Sequence, residues 1–334
     1  MPVNRRFALR ERPNGRIDDQ TFERVEEELP EIGDGEALVR TEWISIDPTN
    51  RTWITDMPGY LPPVAIGETM RALGLGRVVE SKRPDFEEGQ LVQGLIGWTE
   101  NFVASDGAPL QRVPELEGVS PSLYLGALGM TGLTAWVGMK EIGKPQEGET
   151  VVVSAAAGAV GSVAGQLAKR EGARVVGIAG GPEKCSLLTE TLGFDAAVDH
   201  RAENWLEQLV EATPDGIDVD FENVGGQIMD AIFVRLNLNA RVALCGLISG
   251  YNESGPPSGP RAFGNLLIQR VTLQGFIVLD HYDKLARVSA QLAEWIADGS
   301  LEPLETAVEG FEELPTALNM LFDGANVGKL VVRV

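Results

Sequence analysis

The sequence predicts an α/β protein in which a doubly wound parallel sheet is inserted into a β-rich domain. Three observations carry that expectation. A β-branched run, Val151-Val152-Val153, stops at small residues and passes into a helical stretch through Gly158 and Gly161. Strand-like and helix-like segments then alternate as far as Val278. Outside that region the pattern is short strands set between turn residues, and residues 328–334 read as one more strand.

Taken in order, residues 36–43, 76–81 and 90–94 read as strands with turn residues at short spacing. Residues 124–140 turn helical. The run at 151–153 opens the parallel sheet. A strand at 174–179, a helix from 182 to 192, a strand at 196–198 and a helix around 204–212 follow. Strands at 217–221, 241–245 and 271–278 bring the sheet to six. Strands that alternate with helices imply a parallel sheet with both faces covered. The expected division is 1–123 with 304–334 for the β-rich domain and 124–303 for the dinucleotide-binding one. Residues 249–260, rich in Gly and Pro between two strands, read as a mobile loop.

The turn after the first parallel strand fits G-x-G-x-x-G, with Ala156 in place of the first glycine. Gly158 lets backbone approach a pyrophosphate, and Gly161 lets the helix pack closely on the strand. The first N–H groups of that helix, at Ala159 and Val160, have no partner within it and suit phosphate. Taken alone, the same residues also fit a tight βα turn with no ligand. Units that bind NAD usually carry Asp or Glu at the end of the second strand, for the ribose hydroxyls. Here that strand ends Ala179-Gly180-Gly181, Lys184 follows, and His200-Arg201 closes the third strand. A neutral, glycine-lined slot with cations nearby suits a 2′-phosphate, and so NADP over NAD. Lys184 also reads as a solvated residue in a first helical turn. A cation is slightly unfavourable beside that end of the dipole, which favours the phosphate reading.

At 334 residues the chain is long enough for two cores. Its formal net charge of −21 argues against nucleic acid and against anionic membrane as partners. A phosphate site must then be a local positive pocket in a negative field. Two cysteines, Cys185 and Cys245, do not make a disulfide framework. No secretory signal and no long apolar run stands in the sequence, so a cytoplasmic setting is expected.

Several blocks together resemble a known family. They are Ser45-Ile46-Asp47-Pro48-Thr49-Asn50-Arg51, Gly129-Met130-Thr131-Gly132-Leu133-Thr134-Ala135, the Ala-rich fingerprint, Phe221-Glu222-Asn223-Val224-Gly225-Gly226, the run from Cys245 to Asn252, and Gln274-Gly275-Phe276-Ile277-Val278. The chain is similar to the medium-chain dehydrogenase/reductase superfamily, in which a Rossmann domain accompanies a β-rich, GroES-like catalytic domain. More closely it resembles the zinc-free branch of prostaglandin reductases, alkenal/one oxidoreductases, plant double-bond reductases and bacterial curcumin reductases. The resemblance implies that Lys184 binds the 2′-phosphate beside Gly180, and that His200 stands where the family usually has a tyrosine touching the same group. It implies that Asn223, Cys245 and Gly246 lie along the adenosine and pyrophosphate path. Phe276 and Val278 would hold the carboxamide through backbone groups. Met130 and Thr134 would pack near the nicotinamide, with Asn326 closing over the diphosphate. Met130 fits an ordinary core position equally well. The family often forms a homodimer through the strand at 274–278.

Zinc enzymes of this superfamily need a three-ligand catalytic site, and many add a four-cysteine structural one. This chain has two cysteines and two histidines, His200 and His281, and none of them lies in residues 1–123. No metal is therefore expected. The reaction implied is NADPH-dependent reduction of the C=C bond of an α,β-unsaturated ketone or aldehyde. Hydride adds to the β-carbon, the enolate is stabilised by a donor, and a proton goes to the α-carbon. Tyr60 resembles a substrate-carbonyl tyrosine of the branch, and Tyr251 a residue near the nicotinamide ribose and the active site; both are candidate catalytic residues as well. Tyr60 also fits simple packing in a proline turn. Thr49 stands where many relatives have tyrosine, which leaves the α-carbon's proton donor open; Arg51 and Trp53 would line the same wall. A quinone reductase, or an NADPH-binding protein without turnover, fits the fold as well.

Overall fold

The computed structural model describes residues 3–29, 31–56, 59–116, 118–253 and 259–334. Part of the loop expected at 249–260 lies outside them. The chain divides into two compact units. One is Met1–Leu125 with Thr306–Ala325 and Leu330–Val334; the other is Gly126–Glu305 with Asn326–Lys329. The sequence assigns all of 304–334 to the first unit. The structure gives Asn326–Lys329 to the second, because Gly328 pairs in parallel with Gly158 and donates its N–H to the Ala157 carbonyl at 2.7 Å.

The first unit begins with β1 (Val3–Leu9), β2 (Phe22–Glu28) and β3 (Ala37–Ile46), then the short helix α1 (Pro48–Thr52). Strands β4 (Gly74–Ser81), β5 (Leu91–Gly94), β6 (Asn101–Ala104) and β7 (Gln111–Arg112) follow. Strand β3 is buried on both faces over most of its length, as a central strand must be, and it pairs with both β4 and β6. The core of this unit gathers aromatic rings. Trp98 is fully buried, with Phe7 edge-on to it at 6.1 Å. Each such side chain contributes about 1.5–3 kcal/mol by leaving water.

The second unit runs α2 (Met130–Trp136), β8 (Thr150–Val153), α3 (Ala159–Arg170), β9 (Arg174–Ala179), α4 (Pro182–Ser186) and β10 (Ala196–Asp199). It continues with α5 (Trp205–Ala212), β11 (Ile217–Glu222), α6 (Gly226–Val234), β12 (Leu236–Leu244), α7 (Phe263–Ile268), β13 (Thr272–Gly275) and α8 (Leu285–Ala297). The sheet order is β10-β9-β8-β11-β12-β13, all parallel. This is the expected doubly wound arrangement. The order reverses between β8 and β11, which is where such sheets bind ligands beyond their carboxyl ends. Val152, Val176, Val198 and Val242 are buried on one face beneath α5 and α6 side chains such as Leu209 and Ile232.

The chain returns to the first unit with β14 (Glu305–Glu309), α9 (Leu314–Asp323) and β15 (Lys329–Arg333). There the sheet order is β14-β15-β3-β4-β5-β7, with β6 on β3.

Three expectations shift. The helix at 182–192 is α4 followed by a π-turn, Leu187–Thr191. Strand β12 starts five residues before the expected 241, because Asn237 and Asn239 interrupt the apolar pattern that marks a strand. The strand at 271–278 stops at Gly275. Phe276 turns inward, its ring edge 3.0 Å from where a Gly138 Cβ would stand, and Val278 opens a 3₁₀ segment, Val278–Lys284.

Candidate active-site and cofactor-binding residues

The turn between β8 and α3 is built from backbone. Ala156 N–H donates to the Ile178 carbonyl at 3.0 Å, and Gly158 N–H closes on the Ala155 carbonyl at 2.9 Å. Ala155, rather than Ala156, carries the left-handed conformation, with φ 48°. A non-glycine residue held there stores on the order of 1 kcal/mol of strain. A Cβ at Gly161 would stand 2.4 Å from the Ala155 oxygen and 2.9 Å from the Ala156 Cα, so no side chain fits. Gly158 is the N-cap, and Ala159, Val160 and Gly161 open a twelve-residue helix, whose first N–H groups have no acceptor within the helix itself. That cradle fits a pyrophosphate.

A second cluster sits at the carboxyl ends of β9 and β10. A Cβ on Gly180 would fall 2.8 Å from Arg201 Nε and 2.9 Å from His200 Nε2, so two basic side chains occupy the space above this glycine. Lys184, on α4, is half-buried; burial, and then the Arg201 charge, lower its pKa. Burial and Arg201 also hold the His200 imidazole below its ordinary value, against the pull of Asp199. Asp199 Oδ1 accepts the N–H groups of Gly181 at 2.7 Å and Arg201 at 2.9 Å. The donor set suits a phosphate monoester.

The buried carboxylate of Glu222 ties the end of β8 to the loop after β11, and its backbone carbonyl holds the loop after β12. Glu222 Oε1 accepts Ser154 Oγ–H at 2.8 Å, Val224 N–H at 2.5 Å and Gly225 N–H at 2.8 Å. Ser154 Oγ in turn accepts Asn223 N–H at 2.8 Å, and Asn223 Nδ2 donates to the Ser154 carbonyl at 2.7 Å. Cys245 and Gly246 donate their N–H groups to the Glu222 carbonyl. The Tyr251 hydroxyl accepts Leu247 N–H at 3.3 Å and lies 3.5 Å from where a Gly246 Cβ would be. Burial, then the Glu222 charge, pushes the Cys245 thiol up to about 12, so it stays protonated and inert. Asp220 is fully buried, and its side-chain oxygens have no hydrogen-bond partner among the described residues; burial and the neighbouring Glu222 raise its pKa well above the usual range. Neither Glu222 nor Ser154 is marked by the sequence patterns. The available signal is the run of acids at 218, 220 and 222, alternating with Ile217, Val219 and Phe221 along β11.

The remaining positions are more ordinary. Met130 opens α2 half-buried, and Thr134 Oγ1 donates to its carbonyl at 2.7 Å within the same helix. Phe276 and Val278 are half-buried beyond the edge strand. Asn326 is buried, its Nδ2 bonded to the Gly328 carbonyl at 2.9 Å, and Gly328 pairs with Gly158. Asn326 is thereby held beside the glycine turn.

In the first unit, α1 is set up by Asp47 and Pro48. Asp47 N–H donates to Asn50 Oδ1 at 2.7 Å in a reciprocal cap, and Pro48 pre-sets the first turn. This presents Thr49, whose Oγ1 lies 2.5 Å from the hydroxyl of Tyr60, itself 49% exposed. Arg51 and Trp53, expected on the same wall, go elsewhere. Arg51 is buried with Nη2 on the Gly15 carbonyl at 2.7 Å, and Trp53 joins the core with the Arg71 guanidinium 5.3 Å from its ring. Their burial leaves Thr49 and Tyr60 as the accessible polar pair.

Among the described residues, no three His, Cys, Asp or Glu side chains gather so as to hold a metal ion, and no helix is long and apolar enough to cross a membrane. Two family models match the sequence, one described as the N-terminal domain of oxidoreductase over residues 5–113 and one as zinc-binding dehydrogenase over 159–296. The chain is 41% identical to an NADPH-dependent curcumin reductase of Escherichia coli (strain K12), across 99% of this chain and 97% of that one. It is 39% identical to a 2-alkenal reductase (NADP(+)-dependent) of Nicotiana tabacum, across 92% and 89% respectively. The solved structure of CurA in complex with NADPH from Vibrio vulnificus superposes with a TM-score of 0.94 at 40% identity, over 99% of each chain.

Proposed function

We propose, for a chain that belongs to the zinc-independent branch of the medium-chain dehydrogenase/reductase family, that it is an NADPH-dependent reductase of the C=C bond of α,β-unsaturated ketones and aldehydes. The observation that carries the reading is the exposed Thr49–Tyr60 hydroxyl pair in a chain with no cysteine or histidine in residues 1–123. A phenol can stabilise an enolate oxygen, and without cysteine or histidine these residues lack the usual ligands through which zinc polarises an alcohol.

Bound NADPH supplies a hydride to the β-carbon of the substrate. Everything else falls to the chain. Lys184 and His200, over Gly180, bind the 2′-phosphate. The N–H groups of Ala159, Val160 and Gly161, above Gly158, bind the pyrophosphate, with Asn326 alongside. Asn223, Cys245 and Gly246 shape the path of the adenosine half, and Glu222 fixes that loop by accepting three hydrogen bonds on one oxygen. Met130, Thr134, and the backbone of Phe276 and Val278 flank the nicotinamide. Tyr251 stands over Gly246 and keeps the loop after β12 in shape beside the ribose. Tyr60 donates to the substrate's carbonyl oxygen as negative charge collects there. Thr49 donates to the phenol oxygen, which orients it and strengthens it as a donor. Protonation at the α-carbon completes the reduction.

The test is NADPH oxidation with simple enones, enals and quinones, with the product identified. A saturated ketone or aldehyde is expected. An allylic alcohol would place the hydride on the carbonyl carbon and sink the mechanism; turnover of quinones alone would move the chain to quinone reduction. Turnover of none of them would favour a binding protein.

We also propose a cytoplasmic homodimer. The edge strand β13 is exposed throughout, and Phe263, Leu267 and Ile268 of the neighbouring α7 are 62%, 83% and 66% exposed. An open edge strand, and exposed apolar side chains on the helix before it, invite pairing. Light scattering across micromolar concentrations should give twice the monomer mass.

A further inference from the structure

The positive cluster over Gly180 contains one group whose charge is not fixed near neutral pH. His200 follows β10, and its N–H donates to the Ala179 carbonyl at 3.0 Å, which sets the ring above the end of β9. Its Nε2 and Arg201 Nε both lie within 3 Å of where a Gly180 Cβ would be. Lys184 approaches from α4, and Cys185, next on that helix, faces Asp199. The facing charges on His200 are thus Arg201 and Lys184 on one side of the balance and Asp199 on the other.

We propose that His200 takes up a proton when the 2′-phosphate binds, so that the preference for NADPH over NADH is itself proton-linked. The inference rests on the NADPH reading above. Without the phosphate, burial and two neighbouring cations keep the imidazole neutral at pH 7. A dianionic phosphate monoester against Gly180 reverses that field, and an opposite charge within about 4–6 Å favours the charged form. The proton comes from solvent and stays on the ring while the cofactor is bound. NADH places only a hydroxyl there and gives the ring no reason to charge. By linkage, NADPH affinity falls as pH rises from the free imidazole's pKa to the bound one, by about tenfold for each unit between them. The phosphate's own second ionisation, near pH ~6, acts in the opposite direction, so the effect is read above that point.

Two measurements test it without turnover. With only two histidines in the chain, the ring signals of His200 and His281 can be followed by NMR and told apart with His200→Gln. On adding adenosine 2′,5′-bisphosphate, the His200 midpoint should move up by about one unit or more, while adenosine 5′-monophosphate should leave it in place. Calorimetry of NADPH binding in buffers of differing ionisation enthalpy should show proton uptake at pH 7, absent with NADH and absent in His200→Gln. In that variant the NADPH Kd should lose its pH dependence between 6.5 and 8. If NADPH is preferred but no proton is taken up and the His200 midpoint stays put, the proposal is overturned and the cofactor reading stands. If NADPH binds no tighter than NADH at any pH in the range, the cofactor reading fails and takes the proposal with it.

Discussion

The turn at residues 154–161 presents backbone, whereas α1 and the turn at Gly59–Tyr60 present side chains, and the two should tolerate change differently. A Cβ at Gly161 meets the Ala155 carbonyl at 2.4 Å; one at Gly59 finds its nearest neighbour, the Leu61 carbonyl, at an ordinary 3.6 Å. A cradle for a pyrophosphate works by bringing main chain close to ligand, so sterics dictate its residues. A carbonyl-binding corner needs a hydroxyl in reach, and many backbones can supply one.

The broadest effect, on binding and stability together, should come from breaking the cradle. Gly161→Val should weaken NADPH by on the order of a hundredfold and lower stability by about 1–3 kcal/mol. Gly59→Ala should stay within about 0.5 kcal/mol on stability. Fluorescence titration and thermal melts read both. If the two substitutions were equally mild, the contrast between backbone and side-chain sites would collapse.

The next effect tests the other region. Tyr60→Phe keeps the ring and removes the donor, so kcat/KM for an enone should fall by about ten- to a thousandfold. NADPH affinity should hold, since Tyr60 belongs to the β-rich unit. A wild-type rate would leave the reaction standing but move the donor role to Tyr251, the cofactor ribose or water. Somewhat smaller is Lys184→Ala. Loss of a charge-assisted contact should weaken NADPH by about ten- to a hundredfold and leave NADH nearly unmoved. Equal losses for both cofactors would remove Lys184 from the phosphate site.

The same contrast explains what could be read from the sequence. The parallel sheet was legible because β-branched runs, turn glycines and amphipathic helices recur at regular spacing, and only glycine satisfies the approach at Gly161. The missing acid after Ala179 was legible for the same reason, since a ribose contact demands a residue type at a fixed place. Strand β12 was half hidden because Asn237 and Asn239 break its pattern while Leu236 and Ala240 remain buried. Glu222 escaped because its role depends on Ser154, which lies 68 residues away and meets it only across the paired β8 and β11. The sequence puts Arg51 on the same wall as Thr49. Its guanidinium instead binds the Gly15 carbonyl, a partner that local sequence does not reveal.

The smallest effect sharpens the comparison most. Thr49 Oγ1 lies 2.5 Å from the Tyr60 hydroxyl, and either oxygen can donate in the resting pair. If Tyr60 gives its proton to the substrate oxygen, Thr49 must donate to Tyr60, and its contribution passes through the phenol. Thr49→Val keeps the shape and deletes that donor. A single exposed hydrogen bond is worth about 0.5–1.5 kcal/mol net, so kcat/KM should drop by about two- to tenfold, through kcat more than KM. In a Tyr60→Phe background the same substitution should change almost nothing, because the group it acts through is gone. That non-additivity is the signature of a coupled pair. Equal losses in both backgrounds would mean that Thr49 meets the substrate by itself, and the loop would then hold two independent contacts in place of one oriented phenol.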